Sequence, residues 1–260
     1  MAERTLYYFV SDTHLGSFKN GAEERERAFV GFLKDLPPET KALFLLGDIF
    51  DFWYDTKFIV PAGYVHTLGA LADLADNGVE VYFCKGNHDW WTWGYLEKEV
   101  GMKVIDQPYV FDVGETRFCV GHGDELGDKS FKRGLMRSFF RSPVTNAVFR
   151  FLPTAWSFGL AHHWSDGRKS LRKGMGPYEY KGKDEPLFKY LDEFNAKLGA
   201  DGEKKVDCFI FGHFHLKADF RLESGGTVYM LGDWFKPQDR GFIYFSGTVI
   251  SRGGVPKIER

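Results

Sequence analysis

The chain has 260 residues, 43% of them hydrophobic and 17% aromatic, and a net charge of −2. At roughly 100–200 residues per domain this is one large domain, or one domain carrying an insertion. The balance of apolar and charged residues excludes disordered, collagen-like and simple coiled-coil chains.

Met1-Ala2-Glu3-Arg4 leads directly into Thr5–Ser11 (TLYYFVS), a β-rich run, with no signal-peptide pattern. Ala22–Lys34 reads as a helix with Phe29, Phe32 and Leu33 on one face, stopped by Pro37-Pro38. Ala42–Leu46 is a buried strand. Ala62–Asp76 is a helix, with Val65, Leu68, Leu71 and Leu74 at three- and four-residue spacing, ended by Asn77-Gly78. Val79–Cys84 is a strand, and Tyr109–Asp112 with Thr116–Val120 reads as a hairpin. After residue 200, Val206–Phe211, Thr227–Leu231, Phe242–Phe245 and Thr248–Ser251 are strand-like. Such a mixture predicts an α/β layered domain with some antiparallel strands.

Between Asp124 and Val206 the strand signals vanish. Phe131, Leu135 and Phe139 share a helical stripe, Gly174–Pro186 is a Gly-Pro-rich loop, and Pro186–Leu198 reads as a helix. Residues 1–124 and 186–260 are therefore expected to form the core, and residues 125–185 a helical cap inserted into it. Residues 125–183 hold twelve Lys/Arg against four acids, a local charge of +8 that leaves −10 on the rest of the chain. An acidic body with a basic insert suggests that the insert meets something anionic. No apolar run reaches the roughly 18–20 residues that cross a bilayer. The best, Val144–Ala161, is broken by Asn146, Arg150 and Pro153. A soluble cytoplasmic protein is expected. Cys84, Cys119 and Cys208 match no zinc or redox spacing, and each lies in an apolar strand-like run. They are expected as small buried side chains in a reducing compartment.

Five predicted strands end in polar clusters: Ser11-Asp12-Thr13-His14, Gly47-Asp48, Gly86-Asn87-His88-Asp89, Gly121-His122-Gly123-Asp124 and Gly212-His213-Phe214-His215. Loops at the carboxyl ends of strands converge in α/β sheets, so these clusters are expected at one point. Carboxylates, imidazoles and an amide suit Mn²⁺, Fe or Zn²⁺, and a set without thiolate argues against a structural zinc site. On an extended backbone alternate residues point the same way, so Asp12 with His14, and His213 with His215, are each expected to grip one centre. Two divalent ions about 3.5–4 Å apart can clamp a phosphate and supply hydroxide near neutral pH. The glycines Gly47, Gly86, Gly121, Gly123 and Gly212 permit unusual backbone angles and close approach.

D-x-H, G-D, G-N-H-D, G-H-G-D and G-H-x-H, in that order, resemble the calcineurin-like metallophosphoesterase superfamily across about residues 5–124 and 206–250. The resemblance implies a four-layer α/β sandwich of two mixed sheets flanked by helices. It implies Asp12, His14 and His215 as ligands of one metal, Asn87, His122 and His213 as ligands of a second, and Asp48 as the bridge. His88 would stabilise developing charge or protonate the leaving oxygen, and Asp89 would orient His88 through a hydrogen bond. The cofactor expected is a pair of divalent ions, Mn²⁺ above Fe or Zn²⁺.

Gly47–Trp53 (GDIFDFW) is similar to the G-D-[LI]-F-[ED]-x-W signature of UDP-2,3-diacylglucosamine diphosphatases, bacterial lipid A enzymes whose cap and core enclose two acyl chains. This implies cleavage of the pyrophosphate of UDP-2,3-diacylglucosamine to UMP and 2,3-diacylglucosamine 1-phosphate. It also implies peripheral contact with the anionic cytoplasmic face of the bacterial inner membrane. The ten aromatics between Phe131 and Tyr180 fit an acyl chamber or a membrane-facing surface. Arg168, Lys169 and Arg172 of the insert, with Lys85 and Asp124 beside the metal motifs, are candidate substrate contacts. Neither nucleic acid nor an obligate protein partner is expected. The chain departs from the enterobacterial pattern in having His88 where arginine follows the asparagine, and Leu216-Lys217 where Arg-Pro follows G-H-x-H.

Two other readings stay open. A nucleotide or cyclic-nucleotide phosphodiesterase of the same superfamily leaves the aromatic insert unexplained. A nucleic-acid-binding module using the interleaved basic and aromatic residues leaves the metal set idle. His66 and His162-His163 are expected outside the metal set.

Overall fold

The computed structural model describes residues 3–17, 21–56, 59–127, 142, 145 and 181–255. Two compact units divide the chain: Met1–Leu126 with Tyr190–Arg260, and Gly127–Lys189. Every described strand lies in the first unit.

Strands β1 (Leu6–Val10), β2 (Thr40–Leu46), β3 (Glu80–Cys84) and β4 (Lys103–Ile105) pair in parallel. A second sheet holds β5 (Tyr109–Val113), β6 (Thr116–Gly121), β7 (Cys208–Phe211), β8 (Ala218–Arg221) and β9 (Thr227–Met230) in the order β5-β6-β7-β9-β8, with β6, β7 and β9 mutually parallel. Strands β10 (Gly241–Phe245) and β11 (Ile250–Gly254) complete the first sheet, whose order is β11-β10-β1-β2-β3-β4 with β10 antiparallel to β1. Two mixed sheets are thus present, as expected.

The inner strands β1, β2 and β3 of the first sheet are apolar on both faces, which is why they read as nearly continuous hydrophobic runs. Successive side chains alternate between two cores. Val10, Leu43, Leu45, Val81 and Phe83 face α1 (Ala22–Lys34) and α2 (Val65–Asp76), whose Phe29, Phe32, Leu33, Ala70 and Leu71 pack on them. Phe9, Phe44, Leu46, Cys84 and Ile243 face the second sheet and meet its Phe118, Val120 and Ile210. Helix α4 (Pro186–Ala200) is tied down by the buried Asn195. Its amide accepts from Val206 N–H and donates to Val206 O and Gly225 O.

The expected elements recur with shifts that have local causes. Helix α2 starts at Val65 rather than Ala62 because Gly63 and Tyr64 are left-handed (φ 99° and 59°). Strand β11 starts two residues late because Ser246 and Val249 close a turn over Gly247. Strands β4 and β8 and the five-residue α3 (Tyr95–Glu99) carry no run long enough to show a period. All three cysteines are free and buried.

Candidate metal centre

Six strands, β1, β2, β3, β6, β7 and β9, deliver their carboxyl ends to one place. Main-chain bonds stitch the loops together. Asp12 N–H donates to Gly47 O at 3.1 Å, His14 N–H to Asp48 O at 2.9 Å, Gly212 N–H to His122 O at 3.1 Å and Trp234 N–H to Asp12 O at 3.2 Å. The GDIFDFW string divides between core and site. Ile49, Phe50 and Trp53 are fully buried and anchor the loop, while Asp48 turns toward the other polar tips.

Asp12 Oδ1 lies 3.4 Å from His215 Nε2 and 3.9 Å from His14 Nε2. Asp48 Oδ2 lies 3.3 Å from His122 Nε2 and 3.8 Å from His14 Nε2. The His213 ring sits 5.1 Å from that of His122. Asn87 is half-buried, and its amide makes no hydrogen bond among the described residues. Each carboxylate has one oxygen committed to the protein and one aimed at the imidazoles. Asp12 Oδ2 accepts from Ser11 Oγ–H (2.5 Å) and His213 N–H (3.0 Å), and Asp48 Oδ1 accepts from His88 N–H (2.9 Å). The imidazoles follow the same division. His122 Nδ1–H donates to Leu46 O at 3.0 Å, and His215 Nδ1 pairs with Asp233 Oδ2 at 2.9 Å. Both rings therefore present Nε2.

These residues fit divalent cations. Asp12 Oδ1, His14 Nε2 and His122 Nε2 are buried and have no hydrogen-bond partner, a state that buried polar atoms avoid unless something completes them. The charge balance agrees. Burial alone would push Asp48 up, but the imidazoles of His122, His88 and His14 hold it well below the ordinary carboxylate range. Burial alone would lower His122, and Asp48 instead holds it well above its usual value. A cluster that draws positive charge onto an imidazole is one that a cation can occupy in place of the proton. At the solvent edge burial opposes protonation of His215, and Asp233 reverses that.

The expectation of extended Asp12-x-His14 and His213-x-His215 pairs is corrected. Asp12, His14, Asp48, His213 and His215 all have positive φ, between 45° and 71°, and with Tyr64 they are the non-glycine residues in that region among those described. Each such conformation costs about 1–3 kcal/mol and persists only where its surroundings impose it. The left-handed turn still brings Asp12 and His14 together, but it splits the second pair: His215 joins Asp12 and His14, while His213 packs against His122.

The orienting role expected of Asp89 is also corrected. Its fully buried carboxylate accepts four main-chain N–H groups, from Asp48, Ile49, Phe50 and Gly86. Burial, then the charge of Asp48, pushes it up to about 7 against those bonds. Asp89 therefore shapes the Asp48 loop, and His88 is held elsewhere, its Nδ1–H donating to Asp51 O at 2.9 Å. Close approach explains Gly86, where a Cβ would lie 2.3 Å from Asp48 Oδ1. Lys85 stands over the Trp90 ring and 3.9 Å from Asp106, and Asp124 accepts from Gln107 Nε2 at 2.7 Å. His66 is exposed on α2. Arg168, Lys169, Arg172 and His162-His163 lie outside the described residues, as does most of the expected cap. Two carboxylates at the site went unassigned in the sequence. Asp51 ends the G-D-x-x-D of the signature, and Asp233 follows Gly232 at a sixth strand end, a repeat of the Gly47-Asp48 signal.

The chain matches the family model of calcineurin-like phosphoesterases over residues 6–217. It is 34% identical over 261 residues to the UDP-2,3-diacylglucosamine hydrolase of Porphyromonas gingivalis (strain ATCC BAA-308 / W83), covering 95% of this chain and 96% of that protein. Proteins of the same name from Stenotrophomonas maltophilia (strain K279a) and Pseudomonas paraeruginosa (strain DSM 24068 / PA7) are similar at 29% and 30% identity, over 88% and 87% of this chain and 90% of each relative.

Proposed function

Because the chain belongs to the calcineurin-like phosphoesterase family and is a metal-dependent hydrolase, we propose that it cleaves the pyrophosphate of UDP-2,3-diacylglucosamine, releasing UMP and 2,3-diacylglucosamine 1-phosphate. The relatives' shared name and the GDIFDFW string support the substrate. One observation carries the chemistry: buried, unpaired Asp12 Oδ1, His14 Nε2 and His122 Nε2 share one cluster of strand-end residues.

Asp12, His14 and His215 are assigned to one divalent ion, Asn87, His122 and His213 to the other, and Asp48 to both. Manganese suits this nitrogen and oxygen donor set, with iron and zinc as alternatives. When bound, the ions supply charge neutralisation at the phosphoryl oxygens and acidify water enough for attack near neutral pH. His88 keeps its Nδ1–H on Asp51 O, so Nε2 is the atom left to act on the leaving oxygen. Residues 125–185 act as the cap. Their basic side chains meet the diphosphate or anionic headgroups, and their aromatics meet the acyl chains at the cytoplasmic face of the inner membrane. No helix among the described residues is long and apolar enough to cross a membrane.

Purified protein with Mn²⁺ is expected to release UMP from UDP-2,3-diacylglucosamine and not from UDP-sugars without acyl chains. Equal rates on both would overturn the lipid assignment.

A further inference from the structure

Asp233, Trp234 and Phe235 follow the carboxyl end of β9, and between them they reach every residue of the Asp12, His14 and His215 group. Asp233 Oδ2 takes the Nδ1–H of His215 at 2.9 Å. Trp234 N–H donates to Asp12 O at 3.2 Å. The Phe235 ring stacks on that of His14 (centroids 5.1 Å apart, 18° between planes) and on that of His215 (5.9 Å, 24°). The segment is anchored in the core. The Trp234 side chain is fully buried, edge-on to Phe29 (5.4 Å, 85°) and Phe32 (5.9 Å, 70°) of α1. Arg240 Nε–H donates to Trp234 O at 3.3 Å, and Asp233 Oδ1 accepts from Phe235 N–H at 3.0 Å. Arg25 of α1, also fully buried, stands 5.0 Å over the Phe235 ring, and its Nη2–H donates to His14 O at 3.0 Å.

We infer that residues 233–235 clamp one half of the centre, with Asp233 and Phe235 as positioning residues for the ion assigned to Asp12, His14 and His215. An ionised carboxylate can only accept, so Asp233 keeps the His215 proton on Nδ1 and turns the Nε2 lone pair toward Asp12 Oδ1, 3.4 Å away. Two acceptors facing each other are completed by a cation. Phe235 supplies what a hydrogen bond to one ring cannot. The outer torsion of a histidine side chain has a broad well, and a ring lying nearly flat against both imidazoles keeps both from turning. The other half of the centre draws its support elsewhere: His122 Nδ1–H donates to Leu46 O, and its ring packs on His213. A substitution at 233 or 235 therefore acts on one ion of the two.

The inference rests on the proposed assignment of the two metals, and the test keeps the two apart. Metal-free wild type, Asp233→Ala, Asp233→Asn, Phe235→Leu and Phe235→Tyr are titrated with Mn²⁺, reading bound ion per chain, the electron spin resonance signal of bound Mn²⁺ and the melting temperature in chelator. Wild type is expected to bind two ions with a spin-coupled signal. Asp233→Ala is expected to bind one with wild-type affinity and the other about 10–100-fold more weakly, with an uncoupled signal while only the first is filled. Asp233→Asn keeps an acceptor without the charge and should fall between the two. Phe235→Leu keeps bulk without the flat ring and should weaken the same ion about 2–10-fold, and Phe235→Tyr should restore it. At low Mn²⁺ kcat should fall with occupancy of the weakened site and recover at saturation, with KM for substrate unchanged. Melting temperatures in chelator should stay near wild type, since both side chains are only partly buried. Wild-type affinity at both sites in either Asp233→Ala or Phe235→Leu, or equal weakening of both sites, overturns the inference. If Asp233→Ala does not fold, Asp233→Asn decides, and wild-type affinity at both of its sites is the overturning result. A wild type that binds no Mn²⁺ overturns the metal assignment, and the clamp with it.

Discussion

At His88 and Asp89 the chain turns two consecutive titratable side chains to opposite uses. The His88 ring faces the polar cluster, anchored at Nδ1 by the Asp51 carbonyl, and Asp89 points into the protein and gathers the N–H groups of residues 48–50 and 86. His88→Ala is therefore expected to lower kcat by about 10²–10⁴-fold, the usual contribution of a proton-transfer group, with metal content unchanged. Asp89→Ala should act on folding, because each buried N–H left without an acceptor costs about 1–3 kcal/mol. A loss of at least about 3 kcal/mol is expected from the four N–H groups it now holds. Denaturant titration, metal analysis and steady-state kinetics on both variants separate the roles. Wild-type stability in Asp89→Ala, with a kinetic defect like that of His88→Ala, would restore the orienting role.

Strands β2, β3 and β4 are joined near their amino ends by a charged trio. Glu80 of β3 accepts from Lys103 Nζ of β4 at 2.6 Å and from the Tyr82 hydroxyl at 2.6 Å, and Lys41 Nζ of β2 is 3.2 Å away. The Lys103 bond, then the Tyr82 bond, hold Glu80 down at about 2, below its ordinary 4.5. Between those values the unfolded chain binds more protons than the folded one, so the stabilisation is complete above about 4.5 and is lost as pH falls toward about 2. The melting-temperature gap between wild type and Glu80→Gln is expected to be constant from neutral pH down to about pH 5 and to close in more acidic buffers. A gap that widens with acid would contradict the trio. Lys103 in this trio also shows what the sequence hides. Long elements with a clear period, such as α1, β2 and β3, are legible because one or both faces must be apolar. Strand β4 has three residues, one of them the exposed Lys103, and β8 alternates charged and apolar side chains at a sheet edge, so neither leaves a run to detect. The polar clusters were legible because glycine beside Asp, Asn or His at a strand end is a rare combination. Which atom a loop carboxylate binds was not: Asp48, Asp51 and Asp89 look alike in a chain of letters, and only the fold sends one to the imidazoles, one beneath His14 and one to the main chain.

The unpaired buried atoms and the left-handed residues of the cluster belong to the folded chain as a whole, so a bound cation should stabilise all of it. Chelation is expected to lower the melting temperature, and Mn²⁺ to raise it with a concentration dependence reaching about 2.7 kcal/mol at a hundred times Kd. Melting curves that coincide in chelator and in Mn²⁺ would deny that the cluster holds an ion. The clustered residues lie far apart in the sequence: His213 N–H donates to Asp12 Oδ2 across 201 residues, and β1, which leads into Asp12 and His14, lies between β2 and the late strand β10. A polypeptide still emerging from the ribosome therefore carries Asp12, His14, Asp48, Asn87 and His122 long before His213, His215 and Asp233 exist to join them. A fragment that stops short of β7 lacks His213, His215 and Asp233, and it is expected to lack a complete donor set and with it the hydrolytic activity.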